Sequence, residues 1–153
     1  MTDHNTTNAL DALSFAIFRV HGALIAMGDQ IGAPYGLTSA RWQVMGTVQL
    51  AGQPQTVAYI ARSMSLSRQA VQRVVNDLEV IGMIEMLDNP AHKRARLVAI
   101  THAGALAYDQ IIAEWRAISR YLTASLPLER LQDSTSILDE LTRALIELGP
   151  PAD

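Results

Sequence analysis

Apolar residues recur at alternating steps of three and four along the start of the chain: Leu10, Leu13, Ile17, Val20, Leu24, Met27 and Ile31. A helix turns once in 3.6 residues, so this spacing lines a single face and predicts one long helix, with Asn8 placed to cap it. The seam suits either a core stripe within one subunit or a contact between subunits. Gly32-Ala33-Pro34-Tyr35-Gly36 ends it. Thr38 is expected to cap a second helix with Trp42, Met45 and Val48 turned inward, stopping near Gly52 before Pro54. A short helix over 57–63 follows, burying Val57, Ile60 and Ala61.

Residues 65–82 read SLSRQAVQRVVNDLEVIG. Ser67 is a natural helix cap and Gly82 sits where a helix ends in a left-handed residue. By helical spacing Ala70, Val71, Val74, Val75, Leu78 and Ile81 share one face, which leaves Arg68, Gln69, Gln72, Arg73 and Asn76 on the other. Beyond it, 83–88 and 95–100 alternate as short strands, the second with Val98 and Ile100 on one face, around the turn NPAHKR. That is a β-hairpin with a loop longer than two residues. Thr101 then caps a long helix with a second seam (Tyr108, Ile111, Trp115, Ile118, Leu122), broken at Pro127. A last helix carries Leu131, Leu138 and Leu145 at sevens, with Leu141 and Leu148 each three residues after one of them, and stops at Gly149-Pro150-Pro151.

The predicted fold is mainly α with a small β-hairpin wing. Residues 1–36 form an N-terminal dimerisation helix, 37–101 a winged helix-turn-helix, and 102–153 the C-terminal dimerisation helices, all in one compact subunit. Three long amphipathic helices at the chain ends carry more apolar stripe than a small central unit can cover, so a second copy of the chain is expected. The central order is a short helix, a tight turn, a helix with its polar start exposed, and a hairpin with a basic tip. In a winged helix-turn-helix the second of these helices enters the major groove and the wing reaches the backbone or minor groove.

Charge sharpens that picture. The net charge is −3, yet 57–96 holds six basic residues against four acidic ones, and 62–76 holds three arginines and no acid. Positive charge is concentrated where a nucleic-acid surface would need it. Arginine can bond guanine O6 and N7 together, and glutamine or asparagine can do the same with adenine N6 and N7. The plainer alternative for such a face is ordinary solvation.

Composition removes other classes. The chain has 153 residues, about half of them apolar, enough for a packed core. It has no cysteine, hence no disulfide framework, thiolate metal site or cysteine-based peroxide sensor, as suits a reducing cytoplasm. MTDHNTTN lacks the basic start and apolar run of a signal peptide, so the Asn5-Thr6-Thr7 sequon is read as chance. Residues 42–61 are uncharged, but four glutamines, two glycines and Pro54 interrupt them, and no membrane span is expected there. No metal site is expected from His4, His21, His92 and His102, which are scattered. The chain has no glycine-rich phosphate loop, nucleophile elbow or histidine-glutamate metal motif, so neither an enzyme nor a cofactor is expected.

The chain resembles the MarR family of bacterial transcription regulators through LTSARWQVM (37–45), IARSMSLSRQAVQRVVNDLEVIGMIE (60–85) and DNPAHKRARLVAITHAG (88–104), and by helix layout over nearly its whole length. Two departures stand out: Trp42 follows Thr38 by four residues rather than the family's five, and Asp88-Asn89-Pro90 replaces the aspartate-x-arginine that commonly opens the wing. The resemblance implies a cytoplasmic homodimer that presents two recognition helices to successive major grooves of a pseudo-palindromic operator in double-stranded DNA. It further implies a repressor whose hold on DNA is weakened by a small aromatic or phenolic effector.

Carried onto this sequence, the DNA contacts would be Ser67, Arg68, Gln69, Gln72, Arg73 and Asn76 on the recognition helix. Arg62 before it would hold phosphate, and Lys93 and Arg94 would act at the wing tip. Arg96 is expected to pair with Asp88 at the wing base. Phe18, His21, Tyr35, Trp42, Met45 and Trp115 are the candidates to line an effector cleft, although each also suits a core position. The rival function is a winged helix used as a protein-interaction module without its own operator.

Overall fold

The computed structural model describes residues 4–149. In chain order the elements are α1 (His4–Gly32), a 3-10 turn (Ala33–Tyr35), α2 (Ser39–Ala51), β1 (Gln55–Thr56), α3 (Val57–Ser63), α4 (Arg68–Val80), β2 (Ile84–Leu87), β3 (Leu97–Ile100), α5 (His102–Thr123) and α6 (Leu128–Leu148). Four helix starts use the same local chemistry, a hydroxyl accepting from the backbone N–H three residues on. Thr38 accepts from Arg41, Thr56 from Tyr59, Ser67 from Ala70 and Thr101 from Gly104. The left-handed Gly36, Gly52 and Gly82 end the turns and helices before them, a backbone state that glycine enters without a Cβ penalty.

Helix α1 is already formed at His4, a turn before the expected cap at Asn8. Asn8 lies inside it, because neither proline nor glycine interrupts residues 4–8. The prolines expected to stop α6 lie outside the described residues, while Gly149 caps its end with φ 70°. The uncharged run 42–61 is α2, β1 and α3.

α2 is the hub of the centre: α1, α3, α4 and β3 all pack on it. Leu37, Met45, Ile60, Val71, Val75, Leu78, Val98 and Ile111 are almost fully buried. The strands form an antiparallel sheet in the order β1-β3-β2, with Ile84 opposite Ile100 and Leu87 opposite Leu97. β1 extends the expected hairpin to three strands, pairing Gln55 with Val98 and Thr56 with Leu97. β3 is thus the central strand with α2 packed on it, and Ala99 is buried beside Val98 while Ile100 is only half-buried. Two residues assigned to the inner face of α4 differ as well. Ala70 and Ile81 are exposed, the first at the margin of the buried stripe and the second past the last turn; Val71, Val75 and Leu78 carry the packing.

The chain divides into two compact units, one through Glu114 and one from Trp115. In the first, the α1 seam is largely uncovered: Leu10, Val20 and Leu24 are exposed, Leu13, Ile17 and Met27 half-buried, and Ile31 buried. By length and composition alone α1 is also apolar enough to cross a membrane. In the second unit, α6 buries no residue, and Ile137, Leu138, Leu145, Ile146 and Leu148 all face outward.

Candidate nucleic-acid interface

The turn between α3 and α4 is closed by backbone bonds from Met64 to Ile60, Ser65 to Arg62 and Leu66 to Ala61. Ser65 takes a left-handed φ of 53°, unusual for a residue with a Cβ, and the strain is local to this turn. Ser67 then starts α4 with its Oγ accepting the Ala70 N–H at 3.1 Å. Val71, Val75 and Leu78, each without exposed surface, fix which side of α4 faces inward. Arg68, Gln69, Gln72, Arg73 and Asn76 are consequently exposed together on the remaining surface. The Gln72 amide donates to Asn76 Oδ1 at 2.8 Å, joining two of them into a preformed pair.

The wing is the loop 88–96 on the ladder that ends at Leu87 and Leu97. Its base is braced by Asn89, whose Nδ2 donates to Ala95 O at 2.8 Å and whose Oδ1 accepts the Ala91 N–H at 3.0 Å. Arg96 does not pair with Asp88 as expected; it donates to the Met86 carbonyl at 2.6 Å and leaves Asp88 exposed. The missing aspartate-x-arginine pair is thus replaced by an asparagine that ties the loop to itself and an arginine that ties it to β2. Lys93 and Arg94 remain exposed. Between α4 and the wing lies an open cavity of about 410 Å³, lined among others by Arg68, Gln72, Asn76, Glu79, Arg94 and Arg96.

The structure therefore brings Arg68, Gln72, Asn76 and Arg94 together around one concavity, with Gln69 and Arg73 on the neighbouring outward row of α4. Arg62 is exposed in the last turn of α3. Phe18 and His21 are exposed on α1, Tyr35 and Trp42 are half-buried, and the Trp42 indole donates to Gly28 O at 3.1 Å. Met45 is sealed in the core with no exposed surface, and Trp115 is half-buried on α5 in the second unit. Sequence reasoning missed two polar residues of this region, Asn89 and Arg41. Asn89 was visible only as a departure from a family pattern. Arg41 gave no signal, because its partner Asp77 lies 36 residues away.

A model of the MarR family matches residues 35–95, the span that holds α2, α3, α4, β2 and the wing loop up to Ala95. An uncharacterized protein of Mycobacterium tuberculosis is 32% identical over 132 residues, covering 86% of this chain and 89% of its own length. The chain belongs to the MarR family. Among solved structures, a MarR family transcription regulator superposes with a TM-score of 0.79 at 20% identity, over 97% of each chain. A cysteine-to-serine variant of Escherichia coli MarR complexed with operator DNA gives 0.76 at 23% identity, over 88% of this chain and 96% of that one. At those identities the likeness is one of fold, a winged helix. As a MarR-family member the chain is a DNA-binding transcription regulator.

Proposed function

We propose that the protein works as a homodimer that binds a pseudo-palindromic operator and represses transcription until a small molecule lowers its hold on DNA. The observation that carries the DNA reading is the exposed arginine and amide surface of α4, joined across one cavity to Arg94 and Arg96 of the wing. Arginine forks and amides match base edges and phosphates, whereas a protein-binding groove would be expected to offer apolar anchors. Arg68, Gln69, Gln72, Arg73 and Asn76 read bases, the Ser67 hydroxyl and Arg62 meet backbone, and Lys93 and Arg94 hold phosphate beside the wing. The dimer reading is supported by the uncovered apolar surfaces of α1 and α6, which a second copy would bury. Phe18, His21, Tyr35, Trp42, Met45 and Trp115 are the candidate contacts of a small aromatic effector, with Tyr35 and Trp42 half-buried and Met45 sealed in the core.

The test is selection of duplex fragments from a genomic pool by the purified protein, followed by binding at rising salt. Three to five cations per subunit near phosphate would displace about six to ten counterions, so affinity should fall steeply between 50 and 200 mM salt. Weak binding that is flat with salt would sink the DNA reading and favour a protein-interaction module. Derepression of a reporter placed behind the selected operator, when the regulator is deleted, checks the repressor sign.

A further inference from the structure

The charges of α4 cancel: Arg68 and Arg73 stand against Asp77 and Glu79. A neutral recognition helix is a poor partner for phosphate unless one of its acids is taken out of play. Among the described residues the structure holds a single salt bridge, and it falls on this helix. Arg41 of α2 donates from Nη2 to Asp77 Oδ2 at 3.1 Å. The same guanidinium donates from Nη1 to Gly36 O at 3.3 Å, so it is held at both ends of its fork and the Asp77 carboxylate is drawn to the α2 side. Arg41 is also the less exposed partner, at 27% against 58% for Asp77.

Asp77 has another cation within reach on its own helix. Arg73 lies four residues before it, the spacing at which side chains on a helix meet. The two arginines therefore compete for one carboxylate. If Asp77 paired with Arg73, the planar fork on the outward row of α4 would be occupied by a protein carboxylate instead of a base edge or phosphate. In the structure Arg41 takes the carboxylate, and Arg73 forms no salt bridge among the described residues.

We propose that Arg41 is a positioning residue for operator binding: it holds Asp77 against α2 and so leaves Arg73 free to engage DNA. This rests on the DNA reading above. Arg41 itself does not touch DNA. Its effect runs wholly through Asp77, and removing the acid makes the arginine dispensable.

The experiment is a double-mutant cycle on the full-length protein with its selected operator: Arg41→Ala, Asp77→Asn and the pair together. Each is measured for affinity, for the slope of affinity against salt and for thermal midpoint. Arg41→Ala should weaken binding about three- to tenfold, because an exposed carboxylate is released beside Arg73. Asp77→Asn keeps an acceptor for Arg41 and should bind within about twofold of the unaltered protein. The double variant should recover to within about twofold as well, with an unaltered salt slope. Thermal midpoints should stay close throughout, since exposed ion pairs add little to stability.

An Arg41→Ala loss that persists in the Asp77→Asn background, with a salt slope lower by about one per subunit, would assign Arg41 to phosphate and overturn the proposal. Unchanged affinity in Arg41→Ala overturns it too. If the unaltered protein selects no fragment and binds duplex without salt dependence, the DNA reading has failed before any variant is compared.

Discussion

Replacing Arg73 by glutamate reverses one charge on the outward row of α4 while leaving the packed row untouched. Arg73 is exposed, and the side chains that anchor the helix, Val71, Val75 and Leu78, have no exposed surface. A surface substitution of this kind usually changes folding stability by about 0.5 kcal/mol or less. Its effect on DNA is of another order. A good bidentate contact between arginine and a base contributes about 1–3 kcal/mol, and a dimer makes it twice, for about 2–6 kcal/mol in all. At about 1.4 kcal/mol per tenfold, Arg73→Glu should weaken operator binding about 30-fold to 10⁴-fold, with phosphate repulsion pushing toward the upper end. Fluorescence anisotropy on the selected operator measures the loss, and circular dichroism through a thermal melt checks the fold. Loss of helical signal at room temperature would show that the row is structural. Binding within twofold of the unaltered protein would show that Arg73 does not face DNA.

Lys93→Ala with Arg94→Ala removes four cations from the dimer, so the salt slope should fall by about three to four and affinity should drop alike on operator and random duplex; titration at several salt concentrations checks both, and an unchanged slope would mean that the wing is idle. Asn89→Ala deletes both bonds that brace the wing base, at about 1–3 kcal/mol together. It should weaken operator binding with little change in helical content, and full affinity would show that the brace is irrelevant. Leu145→Glu puts a charge on the outward face of α6, where Leu145 is 59% exposed. In a single subunit that costs almost nothing, but across a dimer seam it buries an unpaired carboxylate, so sedimentation should show the chain shifted to monomer, and an intact dimer would place the interface elsewhere.

The features legible in the sequence are those decided within a few residues. A hydroxyl three residues before an orphan N–H makes a cap wherever it falls, so Thr38, Ser67 and Thr101 could be placed from local chemistry, and the same holds for Gly82 past the end of α4. The inner row of α4 was legible in its middle and not at its ends, because periodicity names a face without giving its width. Val71, Val75 and Leu78 are buried, whereas Ala70 and Ile81 lie where the stripe runs out.

What was not legible depends on residues far apart in the chain. β1 is a two-residue strand that exists only because Val98 and Leu97 present a free edge more than 40 positions later. Asn89 braces the wing because the loop folds back to bring Ala95 O within its reach, and nothing in the order Asp-Asn-Pro announces that bond. The same limit applies to charge. Counting residues shows that 62–76 is free of acid, yet whether Arg73 is available to DNA turns on Asp77, one position beyond that window, and on which of two arginines holds it. The sequence places both contenders, Arg73 on the same helix and Arg41 on another, but only the packing of α2 on α4 brings the second close enough to win. The chemistry of the recognition surface is therefore set partly from behind, by a residue on a helix that the DNA-reading pattern does not include.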